Sequence, residues 1–515
     1  MFDIFYKIDK EVNFLRSYIG NIPAEIYEAF EQKDYGYSLL VKGNAGVGKS
    51  TFAFTLLSSL SNIEPIYIST RVAPNSLYSQ FPLIKEKLKE ENILDATRTY
   101  IPPVDSSKKL KTHLLRTIRF ADTPEFLKIV YDKVEECNNP VIVIDSWDAV
   151  IGSNSRDKIQ EWETMLTEFV RQLKIKLLLI TETSDKSFLD YIVDSIITLV
   201  DAETNGRTLR EVTINKVRGI ERRQKRYTFT LYNNEFKYCN AYFQPSMVLN
   251  SKHYKSKSWN VIRSENENRF STGNSEIDRL YHGGLRTSTL NLWEIESNVP
   301  LSAGSEIFLR MVCNFVSQGL GTIIYSMDGV NSRFIDKNKL FFHLSMEDIG
   351  ANIRYMVEDI PNVKDKTEIR PYVKKFQLKN FVETFADTYT FLAEKTSFKP
   401  VLSIISYDFL KFMGDASDIS NEIYNQLKFV RNYNIIEIGI VNQLSNVTHA
   451  PDISPVRRNF SLENISYFFD THMKMIYNNN AIFIYGIKPC SGMYWLKFIN
   501  DPSDLMHRIE LIPMV

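Results

Sequence analysis

The stretch Gly43-Asn44-Ala45-Gly46-Val47-Gly48-Lys49-Ser50-Thr51 fits the pattern G-x-x-x-x-G-K-[ST]. In such a stretch glycines let backbone N–H groups wrap phosphates, the lysine reaches the terminal phosphate and the next hydroxyl binds Mg2+. The flanks decide whether the pattern has meaning. The apolar run Tyr37-Ser38-Leu39-Leu40-Val41 leads into it, and Ala53, Leu56, Leu57 and Leu60 follow at helical spacing. Strand, loop and amphipathic helix together predict a nucleoside triphosphate site, with residues Gly43 to Thr51 around the ligand.

A carboxylate that completes this chemistry should stand at the end of a neighbouring strand. The run Pro140-Val141-Ile142-Val143-Ile144 ends in Asp145-Ser146, so a sheet could deliver Asp145 to its C-terminal edge to hold Mg2+ with Ser50. Lys176 to Thr181 reads as a further strand, and Glu182 after it is placed to sense the terminal phosphate. A strand from Pro65 to Ser69 ends at Thr70-Arg71. Strands Ser195 to Asp201 and Arg210 to Lys216 follow, and a helix from Ile22 to Phe30 opens at Pro23. Apolar strands alternating with helical stretches predict a parallel-rich sheet flanked by helices. Beyond Lys216-Val217-Arg218-Gly219 lie Arg222, Arg223, Lys225 and Arg226, a basic stretch that could meet phosphate or nucleic acid, or be a solvated face.

These residues resemble the RecA superfamily in its KaiC-like branch. The segment Tyr37 to Phe81, with Ser69-Thr70-Arg71 and Leu77-Tyr78-Ser79-Gln80-Phe81, is similar to the P-loop domain of the archaeal GvpD-type ATPases. The resemblance implies ATP and Mg2+ as cofactors and a homo-oligomeric ring, a hexamer favoured, with ATP between subunits. It implies that Lys216 and Arg218 match a Lys-x-Arg pair acting on a neighbour's nucleotide, as an arginine finger does. One departure stands out: KaiC-like ATPases carry paired glutamates where this chain has Thr70-Arg71. Without that base, hydrolysis is expected to be slow or to use Glu182 or Asp148, and Arg71 could bind phosphate in a nucleotide-held switch.

From Asn233 to Asn268 neither sheet nor helix spacing holds, which predicts a linker. A segment resembling the opening of a KaiC-like domain follows, Phe270 to Leu280 and then Gly283-Gly284-Leu285. The second half reads as a degenerate copy of the first. Its first strand, Thr289 to Trp293, runs into Glu296 to Ser305 without G-K-[ST], and Glu294 and Glu296 should repel a triphosphate. An offset of 260 residues sets Pro140 to Asp148 against Pro400 to Asp408, which puts Ile405 at the place of Asp145. Lys488-Pro489-Cys490-Ser491 stands for Lys216-Val217-Arg218-Gly219. The losses predict a pseudo-ATPase module, available for an oligomer interface or a protein partner; Asp408 as a substitute metal ligand is the alternative.

The chain's 515 residues exceed one core, and a prior of about 150 residues per domain gives two to four domains. The expected organisation is an N-terminal segment 1–20, a P-loop ATPase domain 21–232, a linker 233–268 and a degenerate domain 269–515. Lysine plus arginine equals aspartate plus glutamate at 62 each, so global charge points to neither nucleic acid nor membrane. Cys137, Cys239, Cys313 and Cys490 lack zinc or disulfide spacing, and the seven histidines lack ligand spacing, so no metal beyond Mg2+ is expected. The N-terminus lacks a signal peptide's apolar stretch and no run approaches a membrane span, which predicts a cytoplasmic protein with no membrane partner. Two clusters, Lys108 to Arg119 and Pro451 to Asn464 with Arg457-Arg458, read as exposed surface that could meet phosphates, a partner or nucleic acid. Three functions follow: a slow ATP-hydrolysing regulator whose nucleotide controls assembly or partner binding, a RecA-like nucleic-acid-binding protein, or a non-hydrolysing nucleotide-gated binding module. A KaiC-like autokinase is disfavoured by the lost second P-loop, and the GvpD likeness implies transcriptional control through a partner protein.

Overall fold

The aliphatic runs become sheet strands in a computed structural model, which describes residues 21–32, 35–70, 72, 74–95, 130–152, 154–242, 258–325, 344–358, 372–410, 416–443, 466–499 and 506–515. Arg71 and the clusters at 108–119 and 451–464 lie outside the described residues. The chain divides into two compact units, Met1–Asn240 with Met514–Val515, and Ala241–Pro513.

In the first unit the strands are β1 (Tyr37–Lys42), β2 (Glu64–Ser69), β3 (Ile93–Asp95), β4 (Pro140–Asp145), β5 (Lys176–Ile180), β6 (Ser195–Thr204), β7 (Arg207–Lys216), β8 (Arg226–Thr230) and β9 (Lys237–Tyr238). They form one sheet in the order β3-β2-β4-β5-β1-β6-β7-β8-β9. Pairing is parallel from β3 through β6 and antiparallel from β6 to β9. All of β1 is buried, as its continuous apolar run requires of a strand covered on both faces. Phe52, Leu56 and Leu57 of the helix Lys49–Ser59 pack on one face with Leu39 and Val41; Leu166 and Val170 of the helix Arg156–Leu173 pack on the other with Leu40 and Leu177. The helix after the loop is buried on more sides than an amphipathic pattern implies. The cause is the stretch after Asn233: Phe236 is fully buried, meets Phe52 edge-on at 5.0 Å, and donates its N–H to Thr55 Oγ1. Here the first sheet continues to Tyr238, past the point where sequence periodicity fails.

The second unit repeats the plan with β10 (Thr289–Glu296), β11 (Gly321–Tyr325), β12 (Ile353–Glu358), β13 (Val373–Phe376), β14 (Val401–Ser406), β15 (Ile435–Gln443), β16 (Thr471–Asn478), β17 (Ala481–Lys488), β18 (Tyr494–Ile499) and β19 (Arg508–Pro513). Its order is β13-β12-β11-β14-β15-β10-β16-β17-β18-β19. Strand for strand this is the first sheet with β13 added at one edge. It too is parallel up to β16 and antiparallel beyond. The two modules are tandem α/β domains of one topology. Asn314 orders the entry to this unit: its side chain accepts from Trp259 Nε1 (3.1 Å) and Ile262 N (2.8 Å) and donates to Ile262 O (2.9 Å) and Ser271 O (3.1 Å).

Candidate functional site

β1 ends at Lys42, whose buried ammonium pairs with Asp190 at 2.6 Å and fixes the exit of the strand. The next backbone must turn back on itself, and glycine permits it. Gly43 has φ +147° and Gly48 φ +100°; a Cβ on the first would lie 2.5 Å from Leu199 O, and on the second 2.7 Å from Leu231 Cδ1. Asn44, Ala45 and Gly46 form the exposed crest, while Val47 anchors the loop in the core. Lys49 opens the helix and turns its ammonium onto the carbonyls of Gly43 and Asn44, each at 2.7 Å. Loop concavity, helix N-terminus and lysine together make an anion cradle.

Ser50 Oγ donates to Asp145 Oδ2 at 2.6 Å, so the helix's first turn and the end of β4 meet. A hydroxyl and a carboxylate are the hard oxygen donors that Mg2+ takes beside phosphate. Thr51, next on the helix, accepts through its carbonyl from Thr55 Oγ1. Sequence reasoning missed a third member. Tyr67 of β2 donates its hydroxyl to the same Asp145 Oδ2 at 2.6 Å. Its only trace in the sequence is one hydroxyl-bearing ring in a strand otherwise apolar at its centre. Arg210 of β7 was also missed: it pairs with Asp201 at 2.6 Å and braces the loop's outer side at Gly46 O, 3.4 Å away.

Thr70 stands where the resemblance places a base, and its hydroxyl is engaged in the backbone. It donates to Asp145 O (2.9 Å) and accepts from Ser146 N (2.9 Å). Thr181 N donates to Val41 O at 3.0 Å, which sets Thr181-Glu182 beside the root of the loop. Glu182 N in turn donates to Asp148 Oδ2 at 2.7 Å. Lys216 and Arg218 are not brought into this group. Lys216 Nζ donates to Val193 O (2.5 Å), Asp190 O (3.0 Å) and Tyr191 O (3.3 Å), whereas Arg218 is half-exposed and 3.7 Å from Asp194. Of the basic stretch, Arg223 pairs with Glu28 at 2.6 Å, its N–H binds Glu25, and Arg222 donates to Ile214 O.

The repeat sorts these residues. Asp194 accepts from Ser38 N (3.0 Å) and Asp470 from Leu290 N (2.9 Å), so Ser38 matches Leu290 and, three residues on, Val41 matches Trp293. Val41 pairs with Ile180 and Trp293 with Ile440; Ile180 pairs with Asp145 and Ile440 with Ser406. Register therefore places Ser406, not Ile405, at the position of Asp145, because the second module has one residue fewer before Asp408. The same matching sets Leu301 against Lys49 and Pro300 against Gly48. Pro300 has φ −58°, so the cradle's backbone turn is lost along with its lysine. Repulsion by Glu294 is muted, since it pairs with Lys474 (2.8 Å) and His472 (2.9 Å); burial raises its pKa, but these partners bring it below the usual value. Three links persist in both modules: Asp148 to Glu182 N recurs as Asp408 to Asn442 N, Asp194 as Asp470, and Lys216 to Val193 O as Lys488 to Phe469 O at 2.6 Å. Lys49, Asp145, Glu182 and Arg218 have become Leu301, Ser406, Asn442 and Cys490.

Strand, glycine loop, helix and facing carboxylate make the first unit a P-loop domain of the kind that holds nucleotides. Residues 27–215 match the family described as GvpD gas vesicle protein, P-loop domain. Protein GvpD1 of Halobacterium salinarum is 25% identical over 310 residues, covering 59% of this chain and 55% of that protein. Protein GvpD2 of the same organism is 26% identical over 314 residues, covering 59% of this chain and 61% of its own length. The chain thus spans 55–61% of the length of these curated relatives. Among the described residues no helix is long and apolar enough to cross a membrane.

Proposed function

We propose that the first module binds Mg–ATP and hydrolyses it slowly, and that its nucleotide state controls self-association or the binding of a protein partner, in the manner of a KaiC-like regulatory ATPase. The observation that carries this reading is the meeting of Ser50 and Asp145 beneath the glycine loop. Lys49 leaves the carbonyls of Gly43 and Asn44 to neutralise the β and γ phosphates, and Ser50 with Asp145 holds Mg2+, which supplies charge neutralisation when bound. Glu182 is the carboxylate that orients water. Thr70 has its hydroxyl bonded on both sides and takes no proton at neutral pH, which supports slow turnover. Arg218, half-exposed two residues beyond the end of β7, is the group we assign to a neighbouring subunit's nucleotide. The second module, without lysine, metal carboxylate or cradle, serves assembly or the partner. The name of the matching family supports placing this control in gas-vesicle biology.

Size-exclusion chromatography with light scattering, with and without Mg–ATP, tests the proposal when phosphate release is followed on the same fractions. An ATP-dependent oligomer with slow turnover is expected, and Lys49→Ala abolishes both. If Lys49→Ala changes neither nucleotide binding nor oligomeric state, the reading is wrong.

A further inference from the structure

Asp145 Oδ2 accepts two hydroxyls, and only that of Ser50 belongs to the loop motif. The other comes from a ring with almost no freedom. Tyr67 is 1% exposed; its ring stacks on Phe54 of the loop's helix at 4.8 Å and 28°, and Phe54 packs against Phe81 at 4.6 Å. Two rings and a helix thus hold one phenolic oxygen at 2.6 Å from one carboxylate oxygen. A phenol is a hydrogen-bond donor at neutral pH, and this one has a carboxylate oxygen as its acceptor.

The second module is an internal comparison. Tyr67 pairs with Val143, two residues before Asp145; by the same register Ile324 pairs with Ile404, two residues before Ser406. Tyr67 therefore corresponds to Ile324, which faces the equivalent core. The hydroxyl is absent where the carboxylate is absent, while the apolar bulk remains. If filling the core were its whole role, the ring without its oxygen would serve equally in the first module.

We propose that Tyr67 is a positioning residue for the metal carboxylate: its hydroxyl fixes Oδ2 of Asp145, so that the carboxylate meets the nucleotide's Mg2+ in a single orientation. With Oδ2 bound by both hydroxyls, Asp145 cannot rotate without losing a charge-assisted hydrogen bond. Second partners of this kind typically change metal affinity by roughly 10–100-fold. The inference rests on the reading of Ser50 and Asp145 as the Mg2+ holders.

The test is binding of a fluorescent ATP analogue to the full chain, measured in EDTA and over a Mg2+ titration, for the wild type, Tyr67→Phe and Ser50→Ala. Tyr67→Phe should bind the analogue in EDTA like the wild type but need roughly 10–100-fold more Mg2+ for half of the metal effect. Ser50→Ala should raise the Mg2+ requirement too, which shows that the assay reads the metal site. A Tyr67→Phe curve superimposable on the wild type overturns the proposal, as does an equal loss of affinity in EDTA and in Mg2+, the mark of a purely structural ring. A wild type that fails to bind the analogue under either condition overturns the nucleotide reading itself, and is distinguishable from both.

Discussion

Replacing Lys216 by methionine separates two roles. Its ammonium donates to three carbonyls of its own chain, at 2.5, 3.0 and 3.3 Å, at the turn that ends in β6. Burial, and then the charge of Arg218, lower its pKa, as for a cation partly withdrawn from water. A charge-assisted hydrogen bond contributes about 1.5–3 kcal/mol when buried; this ammonium is part-exposed and shared among three acceptors, so the substitution should cost about 2 kcal/mol in all. A domain of this size shifts roughly 2–4 °C per kcal/mol, which gives a midpoint about 4–8 °C lower. Scanning calorimetry of the full chain reads this, the first module's transition being the one that Mg–ATP should raise on the proposed reading. Lys488→Met should lower the other transition by less, about 1 kcal/mol, through its bond to Phe469 O. If Lys216→Met leaves the transition in place and stops phosphate release, Lys216 acts on a nucleotide and the scaffold argument fails.

Burial raises the Glu437 carboxyl to about 7, against hydrogen bonds from Tyr407 and Gln426 that pull it down. Between about 4.5 and 7 the folded second module keeps a proton that the unfolded chain releases, so its stability falls as pH rises through that window, by about 3 kcal/mol at most. Glu437→Gln should flatten this dependence in denaturant titrations at pH 5 and 8; an unchanged slope assigns it elsewhere. Asn314→Ala leaves Trp259 Nε1 and the Ile262 backbone without their partners and should cost about 2–4 kcal/mol, with a shift in tryptophan emission; loss of stability without that shift contradicts the assigned contact.

Much of the first module was legible because parallel strands buried on both faces are written as aliphatic runs; β4 occupies the span expected, Pro140 to Asp145. The phosphate loop was legible because glycine spacing and one lysine encode a backbone shape directly. Tyr67 was not, because its partner lies on another strand and one tyrosine in a buried strand reads as core. The stretch after Asn233 was not, because β9 is two residues long and its burial comes from single rings such as Phe236. Matching Asp145 to Ile405 followed a run of similar letters; strand pairing fixes the match at Ser406, since one deletion leaves resemblance on both sides intact. Lys216 is assigned to a neighbour's nucleotide only through the resemblance to a Lys-x-Arg pair; the sequence does not show the carbonyls of Asp190, Tyr191 and Val193 that its ammonium meets.

The second loop keeps part of the first loop's layout. Val299 still fills the core as Val47 does, and Ser302, matching Ser50, still has its hydroxyl, now bonded to Tyr242 at 3.0 Å. Around them the glycine positions hold Ile295, Asn298 and Pro300. A lysine placed at Leu301 would stand behind a backbone that proline keeps from turning, so that single change would not build a cradle. Loop and lysine are thus one unit: without the turn the charge has no concave surface to serve, and without the charge the turn has nothing to hold a phosphate against.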